Sequence, residues 1–443
     1  MNRDLTNGNI TKSLLLFALP MIAGNMLQQL YNVVDTLIVG RFLGKEALAA
    51  VGTSYTLMTF LTSILLGLCM GSGVAFSVCY GMRDLDRMKS SIFQSFTMIA
   101  SISAVMSVIV FVGIDPIMLL LQVPRDIYDL MREYLWIIFW GISATFFYNY
   151  FASLLRAVGN SVVPLSFLGI SAVLNIVLDL LFVIRFQMGV QGAAAATVIS
   201  QFVAGIGIGW YTLRHFPEFR IQKKHMRWNR TLLHEIFQLS FLTCLQQSVM
   251  NFGILMIQGL VNSFGAAVMA AFSAAVKIDT FAYMPSQDFG NAFSTFVAQN
   301  YGAGKRERIR EGIRKAAIVI LVFCTIISIL VWLFSRSLLM LFIRPEETEI
   351  LRIGVSYLRT EGAFYCLIGF LSLFYGFYRA IKRPGMSVVL TVISLGSRVV
   401  LAYMLAPIPA IGVQGIWAAV PIGWFLADLV GFLYYRLRCE KQL

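Results

Sequence analysis

Apolar stretches of about 20 residues or more, the length a helix needs to cross hydrocarbon, recur along the whole chain, separated by short charged punctuation. They lie near residues 13–40, 47–78, 91–114, 131–151, 162–184, 190–212, 234–261, 266–299, 313–335, 353–376, 385–406 and 412–436. The second and eighth are longer than a bilayer requires, so they should tilt, bend or project beyond it. No polar region is long enough to form a separate soluble domain. The first span follows MNRDLTNGNITK directly, with neither a short apolar core nor a small-residue cleavage site, and reads as a retained helix rather than a signal peptide.

Lys and Arg resist translocation, so their distribution sets orientation. With both termini on the cytoplasmic side, the inner segments collect 24 of the 35 basic residues, from Arg3 to Lys441, and the outer segments keep eight: Arg41, Lys45, Arg125, Arg132, Arg185, Arg336, Arg344 and Arg352. The halves also repeat. At an offset of 221, Gly44 meets Gly265 and Tyr80-Gly81 meets Tyr301-Gly302; at 223, Arg156-Ala157 meets Arg379-Ala380 and GVQG at 189–192 meets GVQG at 412–415.

The expected fold is therefore an all-α membrane protein of twelve transmembrane helices, in two six-helix bundles related by pseudo-twofold symmetry along the membrane normal. The bundles should be residues 1–213 and 234–443, joined by a basic cytoplasmic linker at 214–233. A pair of bundles that rocks about a central cleft is the geometry of alternating access.

Composition agrees: 58% hydrophobic and 13% charged residues leave too little polar surface for a water-facing chain of 443 residues. The net charge of +13 follows from the cytoplasmic bias and is not interleaved with stacking aromatics, so no nucleic-acid partner is expected. Cys69, Cys79, Cys244, Cys324, Cys366 and Cys439 stand singly, and His215, His225 and His234 fall in or beside the linker as solvated loop residues, so neither a disulfide framework nor a metal site is expected. YGAGK at 301–305 lacks the first glycine of a phosphate loop, with Gln299 in its place, and Arg306 stands where Ser or Thr is required.

An ionised side chain at mid-bilayer costs roughly 2.5–3.5 kcal/mol on insertion scales, which makes Asp35, Asp179, Lys277, Asp279, Asp288, Arg359, Glu361, Arg398 and Asp428 functional candidates. Asn25, Gln28, Asn32 and Asp35 make a polar stripe on the first helix; Ser171, Asn175 and Asp179 repeat it on the fifth, and Thr197 and Gln201 on the sixth. Two carboxylates with amide and hydroxyl oxygens suit sodium or a proton. In the second repeat Asp35 becomes Met256, Asn175 becomes Arg398, Asp179 becomes Ala402 and Thr197 becomes Val420, so ion binding is expected in the first bundle alone.

The second bundle should contribute to an apolar cleft through Met250, Met256, Phe281, Tyr283 and Met284, with Lys277, Asp288 and Arg398 as an ion pair or substrate contact and Asn25, Gln28 and Asn32 as its polar wall. Lys277 and Asp288 share a helical face. Arg359, Glu361 and Asp428 lie near helix ends, within reach of the interface. Pro20 removes the backbone bond to the Leu16 carbonyl and makes the first helix a candidate gate.

LFALPMI at 16–22, VVDTLIVGRFLG at 33–44, SVCYGMRD at 77–84 with its copy AQNYGAGKRE at 298–307, RAVGN at 156–160, NIVLD at 175–179 and GVQGAAAAT at 189–197 together resemble the multidrug and toxic compound extrusion (MATE) family over nearly the whole chain. An Asp in the first helix with NxxxD in the fifth is similar to the bacterial and archaeal branch named after the DNA-damage-inducible exporter. The resemblance implies a cation site of Asp35, Asn175, Asp179 and Thr197, with Pro20 at the bend of the first helix. The family's other branch places acids in the seventh and tenth helices; here only Glu361 is available, and that pathway is not expected.

The expected function is secondary active export: inward sodium or proton movement drives efflux of amphipathic, mostly cationic organic compounds. The expected setting is the bacterial inner membrane, as a monomer among lipids, with no cofactor beyond the coupling ion. Two other functions stand against this: a lipid-linked oligosaccharide flippase, which would need a strongly cationic cavity, and a membrane-embedded enzyme, which would need a convergent nucleophile or metal set.

Overall fold

The computed structural model describes residues 4–121 and 123–440, leaving Arg3 and Lys441 of the topology count outside it. Among the described residues every regular element is a helix. In order they are α1 (Ile10–Phe42), α2 (Lys45–Gly81), α3 (Leu85–Val112), α4 (Ile114–Leu120), α5 (Arg125–Ile138), α6 (Gly141–Ala157), α7 (Val162–Asp179) and α8 (Gly189–His215). Then come α9 (Arg230–Asn262), α10 (Ala266–Gly302), α11 (Arg306–Leu339), α12 (Thr348–Gly362), α13 (Tyr365–Ala380), α14 (Pro384–Leu405) and α15 (Val413–Tyr434).

Ten are long and apolar enough to cross a membrane, and twelve spans result when each bent pair counts once. Those pairs, α5 with α6 and α12 with α13, bend by 43° and 50° where the apolar pattern gives single spans near 131–151 and 353–376. No proline breaks them. A glycine flanks each break instead: a Cβ on Gly141 would lie 2.6 Å from Gln201 Oε1, and one on Gly362 would lie 3.2 Å from Val331. The amphipathic starts of α3 and α11 are missed by counting apolar residues, because their first turns are charged.

The chain divides into two compact units, one holding Leu19–Cys244 and the other Leu5–Ala18 with the chain from Leu245 onward. The division differs from boundaries drawn at the linker, because α1 and α9 each change unit partway along. α9 begins inside the first unit. Gly67 and Gly71 on α2 lie so close to Cys244 and Ser240 that an added Cβ would sit 2.5 and 2.4 Å from their backbones. Small residues four apart on both helices permit this approach, and Ser72 and Ser240 hydroxyls hydrogen-bond across it at 2.9 Å.

The start of the chain is correspondingly strapped to the second unit. Leu5 is fully buried, its N–H donates to Gln299 Oε1 at 3.2 Å, and its carbonyl accepts from Asn300 Nδ2 at 3.2 Å. Lys305 Nζ donates to the Thr6 carbonyl at 2.8 Å, which gives the lysine of YGAGK a structural task. α1 crosses to the first unit at Leu19, one residue before Pro20.

Within each unit the repeat is visible in the packing. α2 packs on α6, α6 on α8 and α7 on α8; the counterparts α10 on α13, α13 on α15 and α14 on α15 do the same. Left-handed backbone recurs at the repeat offsets, at Gly44 and Gly265 (φ 88° and 94°), Arg83 and Gly304, Gly159 and Lys382, and Gly189 and Gly412. These turns were copied even where glycine was not.

The linker is less solvated than its sequence suggests. His225 is 3% exposed: its Nδ1 accepts the Gln222 N–H at 3.1 Å, leaving Nε2 to donate to Asp86 Oδ1 at 2.8 Å. The ring thereby fastens the linker to the first turn of α3.

Candidate functional site

The first unit gathers its polar residues where the sequence pattern places them. Asp35 lies on α1, Asn175 and Asp179 on α7, and Thr197 on α8. Asp179 is fully buried, Asn175 is 2% exposed, and Asp35 and Thr197 are half-buried. The carboxyl groups of Asp35 and Asp179 meet within hydrogen-bonding reach. Asn175 Nδ2 donates to Thr197 Oγ1 at 3.3 Å, and that hydroxyl donates onward to the Ala193 carbonyl at 3.1 Å. Ser171 Oγ donates to the Ser200 carbonyl at 2.9 Å and joins the same helices one turn away.

What this leaves over is specific. Asp35 Oδ1, Asn175 Oδ1 and both Asp179 carboxylate oxygens are buried acceptors with no donor among the described residues. Buried acceptors without partners are uncommon and costly. Two carboxylates have only acceptors to offer one another, so their contact requires a proton or a small cation between them. An all-oxygen donor set of two carboxylates and an amide fits a hard cation such as sodium, and fits a shared proton equally well.

Two tyrosines stand around the pair that the sequence reading did not single out. Tyr134 on α5 is 6% exposed and within electrostatic reach of both carboxyls, and the half-buried Tyr31 on α1 is within electrostatic reach of Asp35. The α-helix of α7 ends at Asp179, and the next residues, Leu180–Arg185, wind as a π-helix. Such turns break the regular backbone ladder and cluster at functional sites. Asn25, Gln28 and Asn32 continue the stripe on α1, each half-buried.

The second unit holds an acidic cluster where none was expected. Asp279 on α10 and Glu361 on α12 are 4% and 1% exposed, and their carboxyls meet within hydrogen-bonding reach. Tyr357 Oη donates to Asp279 Oδ2 at 3.3 Å, and Tyr365 Oη donates to Asp279 Oδ1. Arg398 lies within electrostatic reach of both acids, as does the phenol of Tyr283. Glu361 therefore turns inward instead of reaching the interface, because α12, which carries it, packs on α10. Asp428 also stays inside, with both carboxylate oxygens buried and unbonded among the described residues. Arg359 does behave as an edge residue, stacked over Trp332 at 4.6 Å.

Lys277 and Asp288 are not a pair. Eleven residues separate them by roughly 16 Å along a helix; Lys277 is exposed with its ammonium over Phe342, whereas Asp288 is 3% exposed. Of the expected apolar wall, Met250, Phe281, Tyr283 and Met284 are half-buried and Met256 is 37% exposed. Pro20 is half-buried within an otherwise continuous α1.

Comparison with known proteins matches residues 20–181 and 240–404 to the MatE family. The probable multidrug resistance protein YpnP of Bacillus subtilis (strain 168) is 31% identical over 436 residues, covering 98% of this chain and 96% of the relative. A protein of Shewanella oneidensis named FAD transporter is 25% identical, covering 98% of this chain and 96% of its own. Among solved structures, a multidrug resistance MATE family transporter in an outward-facing conformation aligns with a TM-score of 0.92 at 25% identity, over 98% of this chain and 97% of that one. The chain thus belongs to the MatE family of multidrug and toxic compound extrusion transporters, and is a multi-pass membrane transporter, not an enzyme.

Proposed function

We propose that the protein is an antiporter that expels amphipathic, mostly cationic organic compounds from the cell in exchange for inward sodium or protons bound at Asp35 and Asp179. Asn175 supplies a third oxygen, and Thr197 holds the amide in place. The observation that carries this reading is the set of buried acceptor oxygens left without donors on Asp35, Asn175 and Asp179. An isolated charge in a dry bundle is costly, so a carboxyl pair of this kind is stable only with a positive partner.

Coupling follows from unequal affinity. An ion shifts a conformational equilibrium only by the difference in its binding to the two states. In this reading α1 carries that difference, since Asp35 lies on it about four turns beyond Pro20, and a proline that breaks one backbone bond lets the helix bend there. The basic bias of the loops supports both termini on the cytoplasmic side, in the bacterial inner membrane that this reading assigns to the protein.

Efflux from energised proteoliposomes tests the proposal. A cationic dye should leave against its gradient when a sodium or a proton gradient is imposed, each applied alone, and Asp179→Asn should abolish this while preserving insertion and thermal unfolding. Undiminished efflux by the variant would remove the ion site from the account. FAD belongs in the same assay as an anionic cargo, since one relative is named for it. Ion-driven export of FAD with no movement of cationic dyes would replace the cationic substrate class.

A further inference from the structure

Where the linker enters α9, the first unit carries an open cleft of about 570 Å³, lined by Arg87, Ser90, Arg227, Trp228, Asn229 and Arg230. Its charge is unbalanced. Arg87 Nη2 is satisfied by Glu235 Oε2 at 2.8 Å, whereas the guanidinium groups of Arg227 and Arg230 make no hydrogen bond or ion pair with any described residue. The backbone that carries them is nevertheless fixed at three points. The Arg227 carbonyl accepts from Nε2 of the fully buried Gln94 at 3.2 Å, Asn229 Oδ1 accepts the Leu232 N–H at 3.1 Å to cap α9, and His225 is fastened to Asp86. Two free guanidiniums on an anchored backbone offer donors to an oxyanion, and guanidinium is the side chain that recognises phosphate in a bidentate manner.

The remaining wall indicates where that phosphate comes from. Trp228 is 57% exposed, held edge-on against Phe93 with ring centroids 5.7 Å apart. Phe93 lies two turns into α3, one of the apolar spans, and Arg87 and Ser90 lie in its first two turns. The cleft therefore lies at the N-terminal end of a candidate membrane span, and the end of a span is where tryptophan rings and lipid headgroups meet. A basic pocket between helix ends at that depth suits an anionic headgroup better than a free anion, because lipid chains can lie along the exposed apolar face beside it. We propose that this cleft binds the phosphate of an anionic glycerophospholipid, with Arg227 and Arg230 holding the phosphate and Trp228 lying against the glycerol and upper acyl chain.

Native mass spectrometry of the purified full chain, titrated with phosphatidylglycerol or phosphatidylcholine, tests this. Wild type should retain phosphatidylglycerol preferentially at one site. The double variant Arg227→Gln/Arg230→Gln should lose that preference by at least about tenfold, since each of the two charge-assisted contacts it removes is worth about that, with unfolding temperature unchanged because both side chains are exposed. Arg227→Lys/Arg230→Lys should keep part of it, and Trp228→Ala should weaken both lipids together. Equal retention of the two lipids by wild type, or an unchanged preference in the Gln variant, would overturn the proposal. So would displacement of bound lipid by inorganic phosphate at concentrations comparable to the lipid, which would make this a site for the free anion.

Discussion

The two units place their acid pairs on non-equivalent helices, α1 and α7 in one and α10 and α12 in the other, and complete them in opposite ways. In the first, Asp35 and Asp179 meet with an amide and a hydroxyl nearby, and four buried acceptor oxygens of the site lack a donor. In the second, Asp279 receives two tyrosine hydroxyls while Arg398 supplies a fixed positive charge to both acids. Arg398 is the repeat counterpart of Asn175. In the proposed reading the first pair is completed by a charge from outside, whereas the second has most of its partners within its own chain, with Glu361 Oε1 and Arg398 Nε the buried atoms there left without one among the described residues. A duplicated scaffold can specialise by changing one residue on the equivalent helix from an amide to a guanidinium.

The largest expected effect separates the pairs directly. Asp35→Asn and Asp179→Asn should each reduce gradient-driven dye efflux to the level of protein-free vesicles. Asp279→Asn keeps one oxygen to accept from one of the two tyrosine hydroxyls and loses the acceptor for the other, so efflux in the same assay should persist at a reduced rate while the thermal unfolding midpoint falls by the equivalent of about 1–2 kcal/mol. Equal abolition by Asp279→Asn would collapse the distinction between the units.

A smaller effect should follow Arg398→Asn, which restores in the second unit the amide found in the first. Efflux should then acquire a steeper dependence on sodium or proton concentration, read as a change in the slope of initial rate against ion; an unaltered slope would mean that Arg398 does not stand in for a cation. Packing gives a control outside both acid pairs. Gly71→Val forces a branched side chain against the Ser240 backbone and should cost about 1–3 kcal/mol in unfolding experiments, while Gly52→Val, which meets open space, should be far milder. The smallest effect is expected from Pro20→Ala, which restores a backbone bond: the initial rate of dye efflux should fall several-fold, and an unchanged rate would remove the bend of α1 from the account.

Much of this was legible in the sequence, for reasons that also mark where reading stops. Twelve apolar spans and a repeat at 221–223 residues are local or translational patterns, and both survive in the structure. Asp35, Asn175, Asp179 and Thr197 could be grouped because helical spacing assigns each to a polar face in a bundle that buries such faces. Asp279 and Glu361 escaped because they lie on different helices, 82 residues apart, and periodicity within a helix does not reveal that α12 packs on α10. The crossing of α1 and α9 between units escaped for a similar reason, since contacts of Leu5 with Gln299 and Gly67 with Cys244 leave no periodicity. His225 was misread because a charged linker looks solvated until its fold is known.

The central claim is that the Asp35–Asp179 pair is completed by the transported ion. Its most direct test is ion binding to the purified protein without any substrate, measured as radioactive sodium retained and, separately, as protons released when pH is raised. Wild type should show at least one of these signals, and Asp35→Asn/Asp179→Asn should lose it while remaining folded. Retention of the full signal by that double variant would contradict the account.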